Sequence, residues 1–231
     1  MKIKNLIITR ADSNIKEITD ITIPLMEEYA KNCNADFKII SEQPPFLTGD
    51  NKPHYRILKV RDYLEEYNRV LCLDADMIIN KNTPNLFELV PEDKIGSIFE
   101  DKGSRQQNRR QIISKVQNEW GDVGWSEGYT NAGTFLLSKQ HKDIFLPHEG
   151  KYYLDWGSAD VHLSYMARKL RFEFFELSYR WNHMTPFSES WNNSSNRFDS
   201  FIIHYAVVGV FEKGVKNRIE QIKKDYKKIY D

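Results

Sequence analysis

Two carboxylates stand out for their surroundings as much as for their type. Asp74 and Asp76, separated by Ala75, follow the apolar run Val70-Leu71-Cys72-Leu73 and precede Met77-Ile78-Ile79. In an extended chain alternate side chains share a face, so this spacing points both acids the same way. Held together between apolar flanks, they repel each other unless a cation lies between them. Hard divalent ions such as Mn²⁺ and Mg²⁺ take one or two carboxylates and leave room for substrate phosphate oxygens. The chemistry implied is a metal–diphosphate site. The alternative is a turn whose aspartates cap a helix or bend the chain, and that does not call for an apolar strand on each side.

The elements that must position this pair follow from periodicity. Lys2–Thr9, centred on Leu6-Ile7-Ile8, predicts a buried first strand. Asp12 or Ser13 can cap a helix in which Ile15, Ile18, Ile21, Leu25 and Tyr29 recur at helical spacing; Pro24 predicts a kink or a second start. A strand at Asp36–Ser41, a turn-rich loop at Glu42–Pro53 and an amphipathic helix at His54–Asn68 lead to the apolar strand Arg69–Leu73. This alternation predicts an α/β fold with parallel strands, which puts the aspartates at the carboxyl end of a strand, where such sheets place ligands. Further strands are expected at Met77–Ile79, Tyr129–Ser138, Arg171–Leu177 and Phe201–Tyr205, and a helix at Ser158–Leu170 with Ser158 as N-cap. At the end Val215, Ile219, Ile222, Tyr226 and Ile229 repeat at 4-3-4-3, a stripe that docks on the domain. Asp101–Gly128, polar and Gly-spotted, reads as a mobile excursion with one helix, Arg109–Trp120.

The chain carries 33 Lys+Arg against 33 Asp+Glu, without the basic excess that a nucleic-acid binder uses against phosphates. Hydrophobic content of 40% and aromatic content of 13% exclude a disordered chain, and 231 residues fit one domain. Neutrality is a sum of unlike parts. Lys102–Lys115 carries a local +5 with no acid and Lys213–Asp231 a local +4, leaving −9 for the remainder (0 − 5 − 4). An acidic remainder suits a cation; the basic segments are either solvated faces or sites for an anionic partner. For Lys102–Lys115 the expected partner is an anionic or extended molecule. The basic C-terminus allows peripheral membrane contact, though it lacks the aromatic and Leu content of a strong interfacial helix. Cys33 and Cys72 make no framework, and Cys72 reads as core. The N-terminus is too interrupted for a signal peptide and no apolar run approaches the ~20 residues of a membrane span, so the expected location is cytoplasmic.

Leu73-Asp74-Ala75-Asp76 resembles the metal-binding Asp-x-Asp of nucleotide-sugar-dependent glycosyltransferases of the A-type fold. The likeness is to those related to glycosyltransferase family 8, which includes glycogenin and bacterial lipopolysaccharide galactosyltransferases. It extends in order over most of the chain. The helix before Val70 matches. Tyr129–Leu137 resembles the family's Asn-Ala-Gly strand, Trp156–Leu163 its Asp-containing helix start, Arg180-Trp181-Asn182 its Trp-Asn element and Ile202–Tyr205 its late His. The fold this implies is a single Rossmann-like A-type domain with a mixed, mainly parallel sheet flanked by helices. Residues 1–100 would form a nucleotide-binding half, 101–128 the mobile polar segment, and 129–231 the donor-sugar and acceptor half with the C-terminal helix.

The activity implied is metal-dependent transfer of a sugar from a nucleoside diphosphate sugar, a UDP-sugar above others, to a hydroxyl of a glycan or glycolipid. Asp74, Asp76 and His204 would hold Mn²⁺ or Mg²⁺, with Asp74 shared with the ribose. Thr9, Arg10, Ala11 and Asp12 would meet the nucleotide, Arg56 and Lys59 its phosphates, and Ala75, Asn131, Ala132 and Gly133 the donor. Asp160, at helix position N2 with its charge stabilised by the helix start, would be the acid beside the reacting sugar; Asp155 is the other candidate.

The family's Lys-Pro-Trp after the late His is missing: Gly209 and Lys213 stand in that region, which leaves Lys213 a guess for the diphosphate lysine and the stereochemical outcome open. Two other functions compete. One is a phosphatase or nucleotidyltransferase using the Asp pair; haloacid dehalogenase-type phosphatases carry theirs on the first strand, and Lys2–Thr9 has no acid. The other is a non-catalytic sugar- or nucleotide-binding protein with Trp181–Trp191 as its platform.

Overall fold

A computed structural model describes residues 4–42, 52–184, 195–206 and 210–231. The apolar runs become the interior of one sheet. β1 (Asn5–Arg10) lies between β2 (Ala35–Ile40) and β3 (Arg69–Asp74), parallel to both. β6 (Thr130–Ser138) runs antiparallel to β3 and to β5 (Lys94–Phe99), and β7 (Glu173–Glu176) adds parallel to β5. The order is β2-β1-β3-β6-β5-β7, with β6 alone reversed, a mixed and mostly parallel sheet. Leu6, Ile7, Ile8 and Val70 to Leu73 are fully buried, as continuous apolar strands covered on both faces require.

A second sheet, β4-β9-β8, is built from β4 (Met77–Ile79), β8 (His183–Met184) and β9 (Ile202–His204). Its register sets Met77 opposite His204, which carries a residue from the end of the chain to the neighbour of Asp76. Among the described residues the helices are α1 (Lys16–Asn32), α2 (Val60–Glu66), α3 (Leu86–Leu89), α4 (Gln106–Trp120), α5 (Ser158–Lys169) and α6 (Arg218–Tyr230). α6 packs Ile219, Ile222, Tyr226 and Ile229 against Ile18, Leu25 and Ile203, the docking predicted from its stripe.

Several expectations change. α1 runs unbroken through Pro24, because Ile18, Thr22, Leu25, Met26 and Tyr29 are buried on one side and outweigh the ~3 kcal/mol of a mid-helix proline. Thr22 also donates to the Ala75 carbonyl at 2.6 Å, tying α1 to the turn between the aspartates. Lys52–Lys59 winds as 3₁₀ helix before α2 begins, where one amphipathic α-helix was expected. β5 went unread because Pro91, acidic residues and Gly96 interrupt its pattern; Gly96 is needed there, since an added Cβ would come within 2.8 Å of Val90.

Residues 101–128 are packed, not an excursion. Ile113, Val116 and Trp125 are buried in the larger core. Each of the five cations faces an acid: Lys102 Glu176, Arg105 and Arg109 Glu100, Arg110 Asp101 and Glu127, Lys115 Asp155. The local +5 is therefore answered from elsewhere in the chain, which removes the reason to assign the segment an anionic acceptor. Trp181, offered as one end of a sugar platform, is 2% exposed and part of the second core; Trp191 lies outside the described residues, as do Gly209 and most of the loop at 42–53. Among the described residues no helix is long and apolar enough to cross a membrane.

Candidate active site

The site forms at the carboxyl ends of β1 and β3. Asp74 is the last residue of β3, and its register partner on β1 is Arg10; the two side chains form an ion pair. The chain then turns at Ala75-Asp76 before β4, so the aspartates meet across a turn and not along an extended strand as the spacing suggested. His204 at the end of β9 closes the set. Its Nε2 lies 3.2 Å from Asp76 Oδ1 and 3.6 Å from Asp74 Oδ2. One ligand atom from each of Asp74, Asp76 and His204 falls within 4.8 Å of the others, close enough to hold a metal ion.

The imidazole is oriented from behind. His204 Nδ1 lies 2.7 Å from Asn182 Oδ1, an oxygen that only accepts, so Nδ1 carries a proton and Nε2 faces the carboxylates. Asn182 in turn donates to Asn131 Oδ1 at 3.0 Å, which also accepts from the Gly133 amide at 2.8 Å. This chain joins the Trp-Asn and Asn-Ala-Gly segments at one point. A Cβ on Gly133 would lie 2.7 Å from Asn131 Oδ1, 2.9 Å from Asp74 Oδ2 and 3.0 Å from His204 Cε1. The absent side chain is what lets the three groups approach.

The charges interact strongly. Burial opposes ionisation of Asp74, but Arg10 and His204 overcome it and hold the carboxyl below its ordinary range. Burial likewise works against the His204 proton, yet Asp76 and Asp74 raise its pKa above 6.5. A metal ion at Nε2 would have to displace that proton.

Asp160 sits on the third residue of α5 and accepts from the Ala132 amide at 3.0 Å. Its N-cap is Gly157, with φ of 81°, and not Ser158. A side chain there would also strike the Tyr129 hydroxyl. The helix start does not dominate its charge as expected. Burial first, then Glu100 and Asp74, push its pKa up to about 7.

The contacts thus gather Arg10, Asp74, Ala75, Asp76, Asn131, Ala132, Gly133, Asp160 and His204. Asp12 and Arg56 pair with each other just beyond β1, and Asp12 also caps the following turn through the Asn14 amide at 2.9 Å. Thr9 and Ala11 are buried beside them. Lys59 stands apart, 3.6 Å from Glu42. Asp155 does too: its side chain is 55% exposed and pairs with Lys115. Only Asp160 of the two candidate acids faces the cation set, because the left-handed Gly157 turns the chain between them. Three residues escaped the sequence reading. Glu100 is buried and held by Arg105 and by Arg109 Nε at 2.9 Å, His54 feels the charges of Asp74 and Arg10, and Arg218 reaches Asp76. Only the unmatched basic run at 102–115 hinted at a buried acid.

The model of glycosyl transferase family 8 matches residues 9–144, more than half of the chain. The chain belongs to this family. As a family 8 glycosyltransferase it transfers sugar, and its fold is the A-type fold of that group. A glycosyltransferase involved in glycosylation of the major capsid of PBCV-1 is similar at TM-score 0.60 and 14% identity, over 96% of this chain and 98% of that one. The galactosyltransferase LgtC, solved with donor and acceptor sugar analogues, gives 0.58 and 12% over 98% and 96%. The bifunctional glycosyltransferase WbbM gives 0.67 and 13% over 100% of this chain and 50% of that one. No curated protein matches. At these identities the solved structures speak for the fold, and they extend past residue 144 to the segments that hold Asp160, Asn182 and His204.

Proposed function

We propose that this glycosyltransferase is metal-dependent and moves one sugar from a nucleoside diphosphate sugar, a UDP-sugar, to a hydroxyl of a glycan or glycolipid. The observation that carries the reading is the convergence of Asp74, Asp76 and His204 beside Asp160. The donor set fits a hard or borderline divalent ion: two carboxylate oxygens and one imidazole nitrogen suit Mn²⁺, with Mg²⁺ the alternative. When bound, the ion supplies Lewis-acid stabilisation of the charge that builds on the departing diphosphate.

The chain's own residues do the remainder. Asp74 and Asp76 anchor the donor end, and Asn182 keeps His204 in the orientation that turns Nε2 inward. Asn131, Ala132 and Gly133 offer a surface without bulk on which the donor sugar can rest against the backbone. Asp160 is the carboxyl at the reacting sugar. With a pKa of about 7 it is near half-ionised at neutral pH, suited to accepting a proton from the acceptor hydroxyl or to facing positive charge at the anomeric carbon. The anomeric configuration of the product decides between those roles.

Thermal unfolding with UDP or GDP, with and without Mn²⁺, tests the reading, followed by UDP release from UDP-glucose and UDP-galactose. UDP is expected to stabilise the parent only with Mn²⁺, by a few kcal/mol when well above its Kd. Asp76→Asn should fold as the parent does and lose that shift. A UDP shift of equal size without Mn²⁺ would refute the metal assignment; stabilisation without UDP release would favour a binding protein.

A further inference from the structure

We infer that Arg218, on the last helix, is a positioning residue for the cation site, an inference that rests on the metal reading proposed above. The two aspartates divide their oxygens in the same manner. Asp74 gives Oδ1 to Arg10 and leaves Oδ2 toward His204 Nε2 at 3.6 Å. Asp76 gives Oδ2 to Arg218 Nη1 at 2.7 Å and leaves Oδ1 toward the same nitrogen at 3.2 Å. Each arginine holds the outer oxygen, so each carboxylate presents one inner oxygen to the shared centre. Asp76 depends on this more than Asp74. It sits in a turn and not on a strand, and a charge-assisted bond from outside the turn fixes its rotamer.

Arg218 is itself placed by the segment that bears His204. Its Nη1 also donates to the Tyr205 carbonyl at 3.3 Å, and the Tyr205 amide donates to the Asp76 carbonyl at 3.0 Å. Two turns further along α6, the buried Asp225 accepts from the Tyr205 hydroxyl at 2.8 Å, from Arg197 at 2.7 and 2.9 Å and from Gln221 at 2.9 Å. Docking of α6 and orientation of Asp76 are thus one construction around Tyr205. The cation site is complete only with α6 seated.

The test is Mn²⁺ binding by the full chain, read from the free-ion electron paramagnetic resonance signal, with and without UDP. Arg218→Ala is expected to bind Mn²⁺ about 10- to 100-fold more weakly, the usual effect of losing a group that orients a metal ligand. Arg218→Lys, which keeps the charge, should recover most of the loss. Melting temperatures should stay within a few degrees of the parent, since the pair is partly exposed. Should the alanine variant not fold, Arg218→Gln is read in its place. Unchanged affinity would overturn the inference while leaving the metal site standing. Tighter binding would also overturn it, by showing that the guanidinium competes with the cation. No Mn²⁺ binding by the parent, with or without UDP, would remove the metal reading itself.

Discussion

Asp160→Asn is expected to stabilise the cation-free protein clearly at pH 8 and much less at pH 5. Burial, Glu100 and Asp74 raise the Asp160 pKa from 3.8 to about 7. An acid whose pKa is raised on folding binds more protons in the folded state between the two values. Stability therefore falls as pH climbs through that window, and the penalty is complete above pH 7. At 1.36 kcal/mol per pH unit the rise corresponds to about 4 kcal/mol. Asp160 keeps partial contact with solvent, which screens part of this and leaves about 2 kcal/mol. Asparagine preserves the size and an oxygen for the Ala132 amide while removing the charge. For a chain of this size, about 2–4 °C per kcal/mol converts the gain to roughly 4–8 °C at pH 8. At pH 5 about a third of it should remain. The assay is thermal unfolding of both proteins in EDTA at the two pH values. A difference in melting temperature that does not widen from pH 5 to pH 8 would refute the reasoning, as would destabilisation of the variant at pH 8.

Gly133→Ala should leave the fold largely intact and weaken Mn²⁺-dependent UDP binding about 10- to 100-fold, since overpacking of 1–3 kcal/mol would fall on Asn131, Asp74 and His204. Gly96→Ala is the control: its Cβ would strike Val90, so calorimetry should show a lower melting temperature with Mn²⁺ affinity unchanged. Mn²⁺ affinity should rise from pH 6 to pH 8, by up to about tenfold per unit, because His204 must lose a proton that Asp76 and Asp74 hold above pH 6.5. The same shift has a signed effect on the cation-free protein. The stabilisation from protonated His204 is full below pH 6.5 and lost as pH rises through the folded-state pKa, so it should vanish from the pH–stability curve of His204→Gln.

Much of the site was legible because each part sits in a local pattern. An apolar strand ending in Asp-x-Asp announces itself, and His204 follows Ile202-Ile203 at the end of another apolar run. The relation between the parts was not legible. Asp155 and Asp160 look interchangeable five residues apart; a left-handed Gly157 sends one to the surface and the other to the centre. The basic run at 102–115 invited an external anion, whereas its partners are Glu176 on β7 and acids on loops, Glu100 and Asp101 just after β5 among them. Arg218 carried no local signal, and the only one for Glu100 was the unmatched basic run that follows it.

By itself the sequence determined the α/β class, the buried strands, the amphipathic last helix and the side chains, Asp74, Asp76 and His204, proposed here as cation ligands. These depend on the period of apolar residues and on which side chains offer oxygen or nitrogen, both short-range properties. Only the tertiary structure decided which oxygen of each aspartate faces inward, why the His204 pKa is raised, and why Asp160 titrates near pH 7 in spite of its helix start. Those outcomes depend on burial and on Coulomb interactions between groups more than a hundred residues apart in some cases, such as Asp76 and Arg218. Charges respond to distance in space, and the fold alone sets that distance.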